Sequence, residues 1–318
     1  MIRYIGGLII QRIVTLFFIA LITFSLMHAV PGGPFEVRAG DRVVSPEFIA
    51  QQEAFYGLDE SIPEQFGTWL WNMVQGDLGL SFTQLGRSVE DIIIDGIKPS
   101  AILGGMAFVV VMLVGIPLGI ISAIRANTKF DYASVGVSTI FGAVPSFILA
   151  FLLLLIFSVW LDVFPIRLGK GFGDSFGSLK NGILPALALG APSMAILVRL
   201  TRGAMLEVLS EDYIRTAHAK GLASRTVYVQ HGLRNALVPI LTLAGPTFAF
   251  LVTGSIIIEN IFGLPGIGNT FVSSIFNRDF GVIMGTTMFF ATLIVIVNLL
   301  VDLSYPFIDP RVKLGGQA

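Results

Sequence analysis

The stretch AILGGMAFVVVMLVGIPLGIISAI, residues 101–124, contains no charged side chain and decides the class of fold. At 1.5 Å per residue, a helix of this length measures about 36 Å, which is enough to cross the roughly 30 Å of hydrocarbon in a bilayer. The whole chain of 318 residues has the same character, because it is 54% hydrophobic and 13% charged. Its mean hydropathy is +0.82. The sequence therefore predicts an all-α, polytopic membrane protein.

Five further apolar runs predict the remaining transmembrane helices. The fourth of the resulting six is short, and Pro185, Gly190 and Pro192 interrupt it. The first is longer than the apolar core of a typical signal peptide and no small-residue cleavage site follows it, so we expect it to remain as a membrane anchor. The six predicted transmembrane helices lie at roughly 8–30, 101–124, 132–160, 183–200, 236–258 and 282–303.

The positions of lysine and arginine predict how these helices are oriented. If the N-terminus is cytoplasmic, the inner segments hold 12 of the 20 basic residues, and the short outer loops hold four. Basic residues concentrate in short cytoplasmic loops, so both termini are predicted to be cytoplasmic. The chain then divides into an N-terminal transmembrane helix (1–30), an external helical segment (31–98), a core of five transmembrane helices with a cytoplasmic loop at 201–235 (99–304) and a cytoplasmic tail (305–318).

The external segment is acidic, with eleven acidic residues against four basic ones. Its sequence predicts two amphipathic helices, one capped by Ser45 and ending near Gly57, and another beginning at Pro63. The segment is compatible with a small helical subdomain lying on the membrane surface. Such a subdomain is also compatible with a docking face for a soluble partner or with a gate over a pore.

The chain lacks the motifs that enzymatic chemistry at a nucleotide, thiol or metal requires. There is no cysteine and no G-x-x-x-x-G-K-[ST] phosphate loop. The glycine cluster FGLPGIGN, residues 262–269, lacks the lysine of such a loop and predicts a turn or a short re-entrant hairpin. His28, His218 and His231 are far apart in sequence and are expected to pack or cap. We therefore expect no metal and no cofactor, and the net charge of −1 argues against nucleic-acid binding.

One polar segment, SEDYIRTAHAKGLASRTVYVQHGLRNALVP at 210–239, separates two of the apolar runs. Ser210 is a favourable N-cap, and Gly221 is a favourable C-cap after Lys220, so a helix of about ten residues is predicted. Ser224 is expected to cap a second helix. One apolar stripe is formed by Leu206, Leu209, Tyr213, Ile214 and Ala217. From this pattern alone, the segment is either a knob for a partner's groove or a helix resting at the lipid headgroups.

Within this segment, YIRTAHAKGL (213–222) and QHGLRNALVP (230–239) resemble the cytoplasmic loop of ATP-binding-cassette importer permeases, in the variant of the dipeptide, oligopeptide and nickel family. That variant carries R-T-A-x-A-K-G and R-N-A-L-x-P runs where the general form has E-A-A, Gly and I-x-L-P. Five other stretches are similar to the same family: GLDESIPEQF (57–66), GDLGLSF (76–82), GIPLGIISA (115–123), IIIENIFGLPGIG (256–268) and NLLVDLSYPFIDPRV (298–312).

The resemblance implies a type I importer permease fold in a prokaryotic cell membrane. It implies one half of a pathway for peptides, with nickel, glutathione or similar small solutes as alternatives. The implied partners are a second related permease, two cytosolic ATP-binding subunits that hydrolyse the ATP, and an external solute-binding protein. The residues implied to couple the chain to the ATP-binding subunits are Glu211, Tyr213, Arg215, Thr216, Ala217, Lys220 and Gly221.

Charges beside the predicted spans are few, which bears on a second class of function. Glu259 is predicted at the end of the fifth span and Asp302 at the end of the sixth, with Asn298 one turn earlier, and these three are candidates for a pathway or gate. Pro239 and Pro246 make the fifth span the one expected to kink. A secondary transporter or channel driven by an ion gradient is the alternative, but it would be expected to hold acidic residues at mid-membrane depth.

Overall fold

The computed structural model describes residues 2–30, 35, 46–169 and 171–308, and the regular elements in these ranges are helices. The predicted all-α class is confirmed. In chain order the helices are α1 (Ile2–Ala29), α2 (Pro46–Phe55), α3 (Ile62–Val74), α4 (Val89–Ile124), α5 (Lys129–Ala143), α6 (Ser146–Leu154, continued by a π-helix at Leu155–Trp160), α7 (Phe176–Asn181), α8 (Ile183–Leu209), α9 (Asp212–Ala219), α10 (Ser224–Thr226, continued by a π-helix at Val227–Leu233), α11 (Arg234–Val252), α12 (Ile256–Phe262), α13 (Ile267–Phe276) and α14 (Phe280–Ile308).

Five of the spans are long and apolar enough to cross a membrane as continuous helices, and a sixth is possible if one bent pair counts as a single span. The five lie at Gly6–Ala29, Val89–Ile124, Ile183–Leu209, Ser224–Val252 and Phe280–Ser304. The bent pair joins Lys129–Ala143 to Ser146–Trp160 at an angle of 101°. The predicted third span at 132–160 is therefore not one straight helix, because it is divided into two helices by a sharp bend. Pro145 explains the break, because a proline disfavours helical backbone at the residue before it, and Val144 is extended (φ −75°, ψ 124°).

The fourth span is also different from its prediction, because α8 is a continuous helix of 27 residues. Pro185 lies in its first turn, where backbone N–H groups have no partner within the helix in any case. Pro192 is inside the helix, where α8 packs along α4 in the centre of the bundle. At Gly119 of α4 the two helices approach so closely that an added Cβ would lie 2.6 Å from the Cβ of Thr201. Small residues thus allow these helices to form the core of the fold.

The fifth span ends earlier than predicted. Helix α11 stops at Val252, and Gly254 takes a left-handed conformation (φ +81°) that turns the chain into α12. Glu259 consequently lies in this separate short helix and does not end the fifth span. Pro239 and Pro246 are both inside α11, and the kink expected from them stays a prediction.

The external segment contains the two predicted helices, α2 and α3. The predicted cap Ser45 lies outside the described residues, but α2 does end just before Gly57, which has φ +68°. Ser61 precedes α3, with Pro63 in its first turn, and both the hydroxyl and the N–H of Ser61 donate to the Glu64 carboxylate. These bonds lower the pKa of Glu64, the hydroxyl contributing most. Residues 89–98, which were predicted to end the external segment, belong to α4, which begins at Val89.

Candidate functional site

A short helix, α9, stands between α8 and the π-helical turn that leads to α11. The chain enters α9 through Glu211, which is extended (φ −70°, ψ 148°) and is therefore the N-cap residue. The prediction that Ser210 is the N-cap is wrong, because Ser210 is still helical (φ −81°, ψ −13°) and its hydroxyl donates to the carbonyl of Glu207. Ser224 likewise is the first residue of α10, whose N-cap is Ala223.

The end of α9 is fixed by Gly221, as predicted. Its φ is +75°, the left-handed conformation that terminates many helices. The N–H of Gly221 donates to the carbonyl of His218 (2.9 Å), and the N–H of Leu222 donates to that of Ala217 (3.3 Å). These two bonds form a Schellman motif. The helix therefore has eight residues, a defined start and a defined end.

Only one face of α9 is buried. Ile214 and Ala217 are 3% and 6% exposed and pack in one cluster with Val227, against Val208 and Leu209 at the end of α8. Tyr213, which the predicted stripe placed on this face, is 41% exposed. Its hydroxyl accepts a hydrogen bond (2.8 Å) from the side-chain amide of Asn235 at the start of α11. A force on α9 thus reaches both α8 and α11.

The seven residues implied to couple the chain to ATP-binding subunits come together at this one helix. Six of them are exposed, namely Glu211, Tyr213, Arg215, Thr216, Lys220 and Gly221, and Ala217 is the buried one. Arg215 forms an exposed ion pair (3.2 Å) with Asp212. The exposed surface is polar and of mixed charge, while the base is apolar and packed against α8, so α9 presents a polar surface on a fixed base.

No residue pattern in the sequence predicts the ion pair that joins α5 to α8. Arg202 of α8 donates from Nε and Nη2 to the two carboxylate oxygens of Asp131 in α5, at 2.6 and 2.7 Å. The hydroxyl of Ser122 (2.5 Å) and the N–H of Asn127 (2.9 Å) also donate to this carboxylate. Asp131 is 1% exposed. The partners are 71 residues apart in sequence, and a single sequence contains no signal that would pair them.

Glu259 is completely buried, and its carboxylate holds the hairpin formed by α12 and α13. The hydroxyl of Ser100 donates to Oε1 (2.6 Å), and the N–H of Asn269 in the first turn of α13 donates to Oε2 (2.9 Å). The N–H of Ile267 donates to the same Ser100 hydroxyl (2.9 Å). The glycine cluster 262–269 is the turn of this hairpin, as predicted. An added Cβ at Gly266 would lie 2.3 Å from the Glu259 carboxyl carbon, so a glycine is required there.

The two other pathway candidates lie on α14. Asp302 accepts a hydrogen bond from Arg12 of α1 (2.9 Å), and both side chains are about one quarter exposed. Asn298 is half-buried one turn before it. The Arg12–Asp302 pair holds α1 against α14 at the end of the bundle that is predicted to be cytoplasmic, as α9 is. His28, at the other end of α1, bonds to the carbonyl of Phe24 and the side chain of Gln65, which is a packing role.

The external segment is attached to the core through a third buried carboxylate, Asp279. Its oxygens accept from the N–H of Phe82 (3.0 Å), from the hydroxyl of Thr83 (2.6 Å) and from the Ser81 hydroxyl. Next to this attachment a cavity of about 440 Å³ opens between α1, α3 and the start of α14. Aromatic side chains line much of it, including Phe24, Tyr56, Trp69, Phe82 and Phe280.

The helical membrane bundle, with a capped polar helix between two of its spans, fits the architecture predicted for a transport permease. Residues 115–314 match the family described as "Binding-protein-dependent transport system inner membrane component", and residues 1–93 match the N-terminal family of the same components. The chain belongs to this family. It is a multi-pass protein of a prokaryotic cytoplasmic membrane, and the predicted permease identity is confirmed.

Two relatives and one solved structure illustrate the similarity. The oligopeptide transport system permease protein OppB of Escherichia coli K12 is 39% identical over 313 residues, which cover 98% of this chain and 100% of OppB. The dipeptide transport system permease protein DppB of Bacillus subtilis is 41% identical over 300 residues, 94% of each chain. A chain of the inward-facing MetNI methionine ABC transporter superposes with a TM-score of 0.52 at 18% identity, covering 70% of this chain and 96% of that chain. This last likeness establishes the importer permease fold.

Proposed function

We propose that this chain forms one half of the translocation pathway of an ATP-driven importer. A second, related permease subunit supplies the other half, so that the membrane part is a heterodimer. Two cytosolic subunits bind and hydrolyse ATP, and an external binding protein delivers the solute. This division of labour is consistent with a sequence that has no phosphate loop of its own.

The observation that carries this proposal is the geometry of α9. A helix that only rests at the lipid headgroups would present its apolar face to the membrane. In α9 that face is covered by Val208, Leu209 and Val227 of the same chain, and polar side chains point outward. A rigid polar knob on a fixed base suits insertion into the cleft of a soluble protein. We propose the ATP-binding subunits as that partner.

The proposed solutes are dipeptides or oligopeptides. Support comes from the relatives OppB and DppB, whose names assign them to oligopeptide and dipeptide transport and whose sequences align with nearly the whole of this chain. The external binding protein is expected to select among peptides before they reach the pathway.

We place the docking of that binding protein at the external segment. The cavity of about 440 Å³ beneath α3 has apolar aromatic walls. Glu60 lines this cavity, and Asp59 and Glu64, which are close to it in sequence, are also exposed. A partner with an apolar side chain on a basic surface would complement both features.

For the three pathway candidates we propose different contributions. Glu259 acts on an outer gate by positioning the α12–α13 hairpin, because its carboxylate is occupied by Ser100 and Asn269. Asp302 acts by holding α1 to α14 through Arg12. Asn298, with no charge and partial exposure, is the one proposed to face the solute.

The test is reconstitution in liposomes, with and without the ATP-binding subunits and binding protein. The chain alone should hydrolyse no ATP, and the complex should take up labelled oligopeptide only when ATP is supplied on the side of α9. Hydrolysis should rise when the loaded binding protein is added on the other side. Peptide uptake by the chain alone that stops when a proton ionophore is added would refute the proposal and support the ion-gradient alternative.

A further inference from the structure

The carboxylate of Asp131 joins four parts of the chain at one point. It accepts from Arg202 on α8, from Ser122 at the end of α4 and from Asn127 in the loop between α4 and α5, while Asp131 itself lies in the first turn of α5. The structure gives this carboxylate four donors within 2.9 Å and leaves it 1% exposed. No other ion pair among the described residues includes a side chain buried to this degree.

The position of this cluster relates it to α9. Arg202 and α9 are connected by the last turns of α8, and the seven residues from Arg202 to Leu209 correspond to about 10 Å of helix. The base of α9 rests on Val208 and Leu209 in those same turns. A movement imposed on α9 therefore enters α8 just beyond Arg202, in addition to reaching α11 through Tyr213 and Asn235.

The ion pair differs from the other contacts that α8 makes in this region. Ala204 and Met205 pack against Ala123 of α4 and Ala236 of α11, and apolar contacts of this kind have no directional preference. A bidentate arginine–carboxylate pair fixes both distance and orientation. The neighbouring close approach of Gly119 to Thr201 leaves little space for the two helices to rearrange around it.

We infer that Asp131 is a positioning residue for energy coupling. It fastens the cytoplasmic end of α8 to the corner between α4 and α5, so that a movement of α9 displaces the bundle as a unit instead of bending the last turns of α8. The inference rests on the proposed function, since it assumes that ATP-binding subunits act on α9. The ATP-binding subunits could dock on α9 without this ion pair. The inferred role of Asp131 is to transmit their movement through this chain.

The experiment compares three variants of the full complex reconstituted in liposomes with its ATP-binding subunits and binding protein. Asp131→Asn leaves Arg202 without its anionic partner, and Arg202→Gln leaves the carboxylate without its cationic one. The double variant contains neither charge, so the cost of an unpaired buried charge is removed while the bidentate pair remains absent. Asp174→Asn is the matched control, because it makes the same chemical change in an exposed ion pair with Lys98.

Three quantities are measured for each variant: retention of the ATP-binding subunits, peptide transported per ATP hydrolysed, and the midpoint of thermal unfolding. We expect all variants to retain the subunits, since none of the changed residues lies on α9. Transport per ATP should fall about tenfold in Asp131→Asn, within the range typical of coupling between sites, and should stay at the parental value in Asp174→Asn. The double variant should recover thermal stability without recovering transport per ATP.

That last combination separates positioning from simple stabilisation. If the double variant recovers stability and coupling together, the pair only stabilises the fold and the inference is wrong. A parental transport ratio in Asp131→Asn would overturn it as well. Should the single variants fail to fold, the double variant alone tests the inference: a parental value of peptide transported per ATP hydrolysed would overturn it, and a reduced value would support it. Absence of ATP-driven uptake in the parent complex would instead refute the proposed function, so the two failures are distinguishable.

Discussion

Replacement of Gly221 by valine tests whether the end of α9 determines its fit to a partner. Gly221 has φ +75°, and nothing lies within 4 Å of an added Cβ, so the cost of a side chain is backbone strain and not a collision. For a β-branched residue that strain is about 1 to 3 kcal/mol. The alternative is to give up the left-handed turn and with it the two Schellman bonds, at about 0.5 to 1.5 kcal/mol each. Because the two costs are similar, the valine variant should populate a frayed α9 to a large extent.

The expected result is a chain that inserts normally but retains fewer ATP-binding subunits and transports less peptide per ATP. Gly221→Asn should retain more of both, because asparagine tolerates the left-handed conformation better. Gly76→Val is the matched control for subunit retention. Gly76 ends α3 with the same pair of bonds, has φ +89° and likewise has nothing within 4 Å of an added Cβ, but it lies in the external segment. If Gly221→Val keeps the parental amount of ATP-binding subunits and the parental transport ratio, α9 is not the coupling element.

Three further variants or fusions test the orientation, the packing of the bundle and the hairpin. A reporter fused near Lys220 should be cytosolic and one near Glu60 external, and protease cleavage near Glu60 from the cytosolic side alone would contradict the six-span topology. Gly104→Ala should sharply reduce the yield of folded protein, since its Cβ would lie 2.3 Å from the carbonyl oxygen of Leu251, whereas Gly105→Ala, with nothing within 4 Å, should express like the parent. Glu259→Gln keeps the shape of the side chain, but its amide cannot accept both the Ser100 and the Asn269 bonds. We expect it to lower the midpoint of thermal unfolding, and an unchanged midpoint would remove the hairpin role from Glu259.

Hydropathy predicted where the apolar helices are, because burial in lipid requires long runs without charge whatever the tertiary contacts are. It did not predict where they bend. Both arms of the α5–α6 pair are apolar, so the run from 132 to 160 reads as one span, and only Pro145 hints at the break. Residues 253–258 likewise continued the apolar run of α11, although Gly254 turns the chain away.

The candidate site shows the same division between local and distant determinants. The left-handed end of α9 could be predicted, because Gly221 and the residues before it encode a Schellman motif locally. The N-cap was predicted one residue too early, at Ser210 instead of Glu211. The reason is that α8 continues to Leu209 and keeps Ser210 in a helical conformation. The partners of Asp131 and Glu259 depend on contacts between residues 71 and 159 positions apart, which a residue pattern does not contain.

The length of α4 has a consequence for how the two sides of the membrane communicate. Its 36 residues correspond to about 54 Å, so roughly 24 Å of the helix extends beyond a hydrocarbon layer of about 30 Å. Its first turns pack on Ile267 and Val282 in the external half, and Ser122, near its last turn, bonds to Asp131. A tilt of only about 5° around the inner end would displace Val89 by about 5 Å, given that length. A small rotation of α4 at the cytoplasmic surface would therefore move its outer end by about the size of a side chain. Conversely, binding at the outer end would change the orientation of α4 at the cytoplasmic surface.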